Sequence, residues 1–487
     1  MKKMITILVT LGLIIATVAV VNAQLGSDSV THNTSWVFQN LGSSTADVAV
    51  ELYSTDGTLA ASDSFTVAKS VAFWAPDYAP LDAVGTFNGS IVASSNQPLA
   101  ATSNQVAQNT TSGKSGNATY VGFTGDTVAP TMYAPVLMKS YAGIFWTEMS
   151  IQSTASSGST AVSVHYYNED GSEVTGSPVA KTVPAGSPIR VAQADEAILS
   201  DGWIGSVKVA ADDGTTALAL VVNEFWGGAN HEYDQFYSYE GFASGATRVV
   251  CPNVFINGYG GLFQASATVQ NLGSVPADVT FTFYDNTAGN PNQATAIYSF
   301  TQVITTSLAT YYPNAPYAQD LKDGYNVGDD EWIGTVVFES TNGQPLAAIV
   351  NELSGSYWAA SFTGLTAGGT EFYSPMAYVK GYGFANTSYA IVDTSGTSGV
   401  VNVTVDYIAD TVACPGCSDW SDTYDFEIND NKYQPDHIPA SAMDNGTYIG
   451  AIKITVNTAG KTIGGVINEI LGSSTADYFT SFNGTAQ

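Results

Sequence analysis

FQNLGSSTADVAVELY, residues 38–53, returns as VQNLGSVPADVTFTFY at 269–284 and, more loosely, as IQSTASSGSTAVSVHYY at 151–167 and IVDTSGTSGVVNVTVDY at 391–407. Each copy is the end of one apolar segment, a turn of small and polar residues, and a second segment of period two. Val48, Val50 and Leu52 alternate with Asp47, Ala49 and Glu51, and Val279, Phe281 and Phe283 alternate with Asp278, Thr280 and Thr282. Successive side chains of a strand point to opposite faces, so this alternation describes half-buried antiparallel strands. Asp56-Gly57, Asp170-Gly171 and Asp213-Gly214 supply hairpin turns between them. No amphipathic stretch of three helical turns follows residue 23, and the chain reads as all-β.

Working outward, three further landmarks recur in fixed order. An apolar segment with proline precedes the hairpin in APVLMKSYAG, CPNVFINGYG and SPMAYVKGYG, carrying Pro135, Pro252 and Pro375. An aromatic stands two residues before a glycine at Phe87 and Gly89, Trp203 and Gly205, Trp332 and Gly334, and Tyr448 and Gly450. Last come Asn104, Asn223, Asn351 and Asn468, each followed by a closing Ser/Thr-aromatic-x-Gly. The closing aromatics Tyr120, Tyr239, Phe362 and Phe482 are 119, 123 and 120 residues apart. Four units therefore use up the chain: 24–126, 127–246, 247–369 and 370–487. About seven short strands per unit suit a β-sandwich, and four sandwiches joined by short linkers such as SGAT and AGGT predict an elongated rod.

Residues 1–23, MKKMITILVTLGLIIATVAVVNA, have the positive start, apolar run and small-residue end of a secretory signal peptide. Counting back from Asn40 by the sister spacing places the proline-led first strand of unit 24–126 inside this leader. Two expectations stand side by side: a shorter unit that starts in a loop, or a sheet edge completed by a strand from another subunit. Without Lys2 and Lys3, 12 Lys and Arg face 43 Asp and Glu, a net charge of −31. Such a chain is repelled by nucleic acid and by anionic lipid, and its C-terminal SFNGTAQ offers no apolar tail for a membrane span. A secreted protein of the cell surface or extracellular space is expected.

Cys414-Pro415-Gly416-Cys417 lacks the second pair a zinc site needs and the βαβ setting of a redox motif, so it reads as a disulfide pinning a loop. Cys251 takes the place of Ala134 and Ser374 and reads as structural. His32, His165, His231 and His437 form no local pair, and no nucleophile-elbow, P-loop or dinucleotide fingerprint occurs, which predicts a non-enzymatic protein. Calcium is the one candidate cofactor, through Asp425, Glu427, Asn429 and Asn431 alternating along one segment. Trp226, without an aromatic counterpart in units three and four, is a candidate exposed contact. AAIVNELSG around Asn351 and Glu352 looks like a barrel glycosidase acid/base, yet it has sisters at Asn223-Glu224 and Asn468-Glu469, and Gln105 follows Asn104. A pair repeated once per unit reads as a fastener: Asn at a strand end bonding the next turn, with Glu facing solvent.

The units resemble the tandem immunoglobulin-like repeats of secreted or surface-associated bacterial proteins, and the composition is similar to that of S-layer and other envelope proteins. The resemblance implies a structural role: self-association into a surface layer, sheath or filament through sheet edges. The alternative is an adhesin or accessory module that binds a cell-surface glycan, with calcium in support.

Overall fold

The computed structural model describes residues 12–16, 30–109, 115–125, 127–226, 235–261, 263–285, 295–305, 309–311, 332–354, 358–383, 385–471 and 479–486. The strands gather into eight sheets, two for each of the four stretches of repeating sequence. Between residues 127 and 246 the eight strands are Thr131–Lys139, Phe145–Ser153, Ser159–Asn168, Val179–Pro184, Pro188–Ala192, Trp203–Ala211, Leu218–Trp226 and Gln235–Glu240. One sheet has the order fourth, third, sixth, first; the other has fifth, second, seventh, eighth. Every neighbouring pair is antiparallel. The same two orders recur in the other three units, and in the last a short strand, Thr485–Ala486, adds beside the first.

In the immunoglobulin order the second strand pairs with the first and fifth, and the sixth with the third and seventh. Here the second–fifth and third–sixth pairs are kept, while the first and seventh strands have changed places. The first lies beside the sixth, and the seventh beside the second. The eighth strand then extends the seventh-strand sheet.

The alternation seen in sequence is the packing pattern. Ala46, Val48, Val50 and Leu52 are buried, with Ile91 and Ala93 beside them and Trp36 and Phe38 from the facing sheet. The aromatic-glycine landmark also has a steric cause. A Cβ on Gly89, Gly205, Gly334 or Gly450 would collide with the carbonyl oxygen of Tyr53, Tyr167, Tyr284 or Ile408 and with the aromatic ring two residues earlier. Only hydrogen leaves room for both the neighbouring backbone and the ring. At the three Asp-Gly turns, Gly57, Gly171 and Gly214 take positive φ. Asp56, Asp170 and Asp213 accept the amides of Thr58, Ser172 and Thr215 at 3.0, 2.9 and 2.8 Å.

The units do not string into a rod. The eighth strands Ser115–Val121, Gln235–Glu240, Trp358–Thr363 and Phe479–Asn483 pack each against the next, and the last packs against the first. Around this axis the first strand of one unit lies on the second and seventh strands of the following one. Thr131–Lys139 lies on Gln264–Asn271 and Leu346–Ser354, and Arg248–Ile256 on Ala385–Asp393 and Ile463–Leu471. Glu371–Val379 lies on Val30–Asn40 and Leu99–Asn109, so the fourth unit returns to the first. Lys69 Nζ meets Asp419 Oδ2 at 2.7 Å across that closure, and Gln39 Nε2 donates to the Ile452 carbonyl at 3.4 Å.

Apolar side chains explain why a string is not formed. Val250, Val337 and Leu365 of the third unit cluster with Val392 of the fourth, and Ala347 and Ile349 of the third enter the core of the second. Pulling the units apart would expose these faces. The linkers are likewise pinned to the next unit: the amides of Ala246 and Gly369 donate to the carbonyls of Leu346 and Ile463 at 3.0 and 2.9 Å.

Candidate functional site

The four repeat asparagines stand in the middle of the seventh strands, three to five residues before their ends at Asn109, Trp226, Ser354 and Leu471. This corrects the expectation of a strand-end fastener. Each asparagine lies directly opposite the Ser or Thr of the closing motif. Thr119, Ser238, Ser361 and Ser481 donate their hydroxyls to Asn104, Asn223, Asn351 and Asn468 Oδ1 at 2.7, 2.6, 2.8 and 2.7 Å. The two landmarks that looked separate in sequence are therefore one cross-strand pair, repeated four times around the axis.

The neighbouring carboxyls are also corrected. Glu224, Glu352 and Glu469 are buried at the joints between units rather than turned to solvent. Glu224 accepts the Asn351 amide of the next unit at 3.0 Å. Glu352 accepts Asn253 at 2.8 Å on one oxygen, and its other oxygen lies 2.8 Å from the Ser481 hydroxyl oxygen of the next unit. Among the described residues no cation pairs with them, and burial raises them to about 8 for Glu224, about 8 for Glu352 and about 7 for Glu469. Glu148 contrasts with them, because Arg190 Nε reaches it at 2.5 Å and opposes the upward push of burial.

At one end of the axis the closing turns of all four units meet around a cavity of about 330 Å³. The third residue of each closing motif, Val121, Glu240, Thr363 or Asn483, lines it. The Val121 amide donates to Glu240, and Asn483 Nδ2 donates to the Thr363 carbonyl at 2.9 Å. Burial raises Glu240 to about 7.

A second cavity, of about 430 Å³, opens where the fourth unit meets the first. Trp74 and Phe73 end the fifth strand Ser70–Trp74 of the first unit, and Asn104 and Asn117 come from its seventh and eighth strands. Tyr378, Tyr382 and Glu469 come from the fourth unit. Sequence reading did not single out these aromatics. A signal was present, since Tyr141, Tyr259 and Tyr382 recur in the turn after the proline-led strand.

The sheet edge of the first unit carries a third feature. Gly12–Ala16, within the apolar N-terminal run, pairs antiparallel with the sixth strand Gly89–Ser95, with Gly12 opposite Ser95 and Ala16 opposite Ile91. It takes the position held in the other units by the proline-led strands. Residues 30–33, at the start of the second strand, belong to the other sheet and do not complete this edge.

Cys414 and Cys417 are joined in a disulfide, and Cys251 is buried and free. The calcium candidates are divided between two sheets. Asp425 lies in Trp420–Phe426 beside the third strand, whereas Asn429 and Asn431 lie in Asn429–Tyr433 beside the second. Asn429 bonds Thr335 of the third unit at 2.5 Å. Among the described residues no three His, Cys, Asp or Glu side chains gather as a metal site. His231 and the side chain of Trp226 lie outside the described residues. Among those described, no helix is long and apolar enough to cross a membrane. No protein-family model and no curated protein matches the chain.

Proposed function

We propose that this protein is a secreted, non-enzymatic structural subunit of the cell surface, built of immunoglobulin-like sandwiches and polymerising by strand donation into its first unit. The observation that carries this reading is the pairing of Gly12–Ala16 with the sixth strand. Removal of residues 1–23 as a signal peptide vacates that position, leaving the backbone groups of Gly89–Ser95 and the apolar positions beside Ile91 and Ala93 uncovered.

The processed chain has too little sequence to refill the slot itself. In the sister units the turn between first and second strands is short, spanning residues 140–144, 257–263 and 380–384. With the second strand starting at Val30, a five-residue turn would end the first strand at Gln24, the first residue after cleavage. The occupant is the N-terminal segment 24–29 of a second copy. Its six residues are enough to fill the five-residue slot, and Leu25 provides an apolar anchor.

Light scattering and negative-stain microscopy of the secreted protein test this. Ordered polymers are expected, abolished by deletion of residues 24–29 and capped by a synthetic peptide of the leader sequence around Gly12–Ala16. A processed chain that stays monomeric with a fully folded first unit would sink the reading. Polymers unaffected by the deletion would place the donor strand elsewhere.

A further inference from the structure

The joint between the fourth and first units lacks a bond that the other Asn-Glu joints possess. At the preceding joints Glu224 receives Asn351, and Glu352 lies at hydrogen-bond distance from Ser481, each from the following unit. At the closing joint the equivalent amide is engaged elsewhere. Asn104 Oδ1 accepts Thr119, and its Nδ2 lies 3.7 Å from Met376 Sδ. Glu469 is only 5% exposed, and its Oε2 has no hydrogen-bond partner among the described residues. An unpartnered buried carboxyl oxygen is costly, and here the Glu469 side chain lines the 430 Å³ cavity rather than solid core.

The walls of that cavity narrow the choice of ligand. Tyr378 and Tyr382 meet edge to face, with ring centroids 5.8 Å apart and planes at 80°, and so form an aromatic corner. Trp74 and Tyr382 stand at the mouth, 39% and 53% exposed, and Phe73 lies beside Trp74. Ring faces carry negative potential, so an aromatic corner beside a carboxyl attracts a cation through both. A sugar would need partners for several hydroxyls, but the exposed lining of the cavity is mostly apolar and Asn104 Oδ1 already accepts Thr119. The net charge of −29 raises the local concentration of cations.

We infer that the cavity between the fourth and first units binds a small organic ammonium ion, its nitrogen at Glu469 and its alkyl groups against Trp74, Tyr378 and Tyr382. Bound there, the ion would bridge the two ends of the chain and tighten the closed arrangement. Burial holds Glu469 near 7, and a bound cation would favour its ionised form. Asp410 is the other acidic group whose charge acts on both tyrosines.

Titration of the full secreted chain with choline, followed by calorimetry and tryptophan fluorescence, tests the inference. The comparators are 3,3-dimethylbutan-1-ol, the neutral isostere of choline, and glucose. Saturable choline binding is expected, with the isostere weaker by about tenfold or more. Glu469→Gln and Trp74→Ala should each weaken choline by about tenfold, and the rim variant Trp74→Ala should keep the melting temperature of the unliganded protein. Equal binding of the isostere, preference for glucose, or no saturable binding at millimolar choline would overturn the proposal. The chain lacking residues 24–29 should bind choline unchanged, which separates this site from strand donation.

Discussion

Asn351 of the third unit donates its amide to the Glu224 carboxyl of the second at 3.0 Å, and both groups are buried. Burial holds Glu224 near 8, and Glu352 likewise, whereas either carboxyl in the unfolded chain titrates near its ordinary 4.5. Between those values the folded protein keeps protons that the unfolded chain has lost. The contribution is therefore fully present below about pH 4.5 and is lost as pH rises through about 8. Urea melts at about pH 5, 7 and 9 should show falling stability, at most about 1.4 kcal/mol per pH unit for each group. The double variant Glu224→Gln, Glu352→Gln should make the profile shallower, because the amide oxygens still accept Asn351 and Asn253 while the amide NH2 at position 352 can donate to the Ser481 oxygen, and neither group titrates. A wild-type curve that rises over this range would contradict the assignment of neutral buried acids.

Gly334 is the clearest steric constraint in the repeat. Any Cβ there would meet both the Tyr284 carbonyl and the Trp332 ring, one a backbone atom and the other a fully buried side chain. Gly334→Ala should cost about 1–3 kcal/mol through overpacking, read as a lower denaturation midpoint with an unchanged slope. Gly125→Ala, with open space around its added methyl, is the matched control and should be near neutral.

Which parts of this arrangement were legible follows from where each side chain finds its cover. Val48, Val50 and Leu52 are covered by their own sandwich, so their alternation alone revealed strand and face. Gly205 and Gly334 showed through their aromatic partners two residues away. The spacing also placed the first strand of unit one within residues 1–23, where Gly12–Ala16 pairs. Glu224 did not, because its cover comes from Asn351, 127 residues later and in another unit. The seventh strands are buried on both faces, so LALVVNEF carries no polar side to betray which neighbour is solvent. Closure of the four units depends on scattered apolar contacts such as Val392 with Val250, and no local pattern encodes those. Tyr382 was visible as a repeated turn residue, but its meeting with Trp74 needed the fourth unit to return to the first.

The Cys414–Cys417 bridge closes a very short loop, so its effect on stability should be modest. Cys414→Ser with Cys417→Ser should cost about 2 kcal/mol on the loop-entropy account, measured by urea denaturation in oxidising buffer. Intact mass should show one disulfide, and Cys251 should be the only thiol to react, and only after unfolding, because it is fully buried and burial raises its pKa. Rapid labelling of Cys251 in the native protein would place it elsewhere than beneath the third unit's first sheet.

Closure of the chain makes a prediction about shape. With the fourth unit's Glu371–Val379 packed on the first unit's strands, the chain lacking residues 1–29, which cannot donate a strand, should scatter X-rays as a compact particle with a radius of gyration of about 23 Å. Four sandwiches in a line would give a far larger value and a distance distribution with a long tail. The Lys69–Asp419 ion pair sits at the surface and contributes little by itself, so Lys69→Ala should leave both shape and melting temperature almost unchanged. Its geometry is nonetheless useful. A carbodiimide, which joins an amine to a carboxylate at contact distance, should couple Lys69 to Asp419 within one chain, seen as faster migration on a denaturing gel. The linked residues are 350 positions apart, so the bridge should raise the unfolding temperature more than the native Cys414–Cys417 loop does. A pair that links only between molecules, or not at all, together with an extended scattering profile, would show that the ends of the chain do not meet in solution.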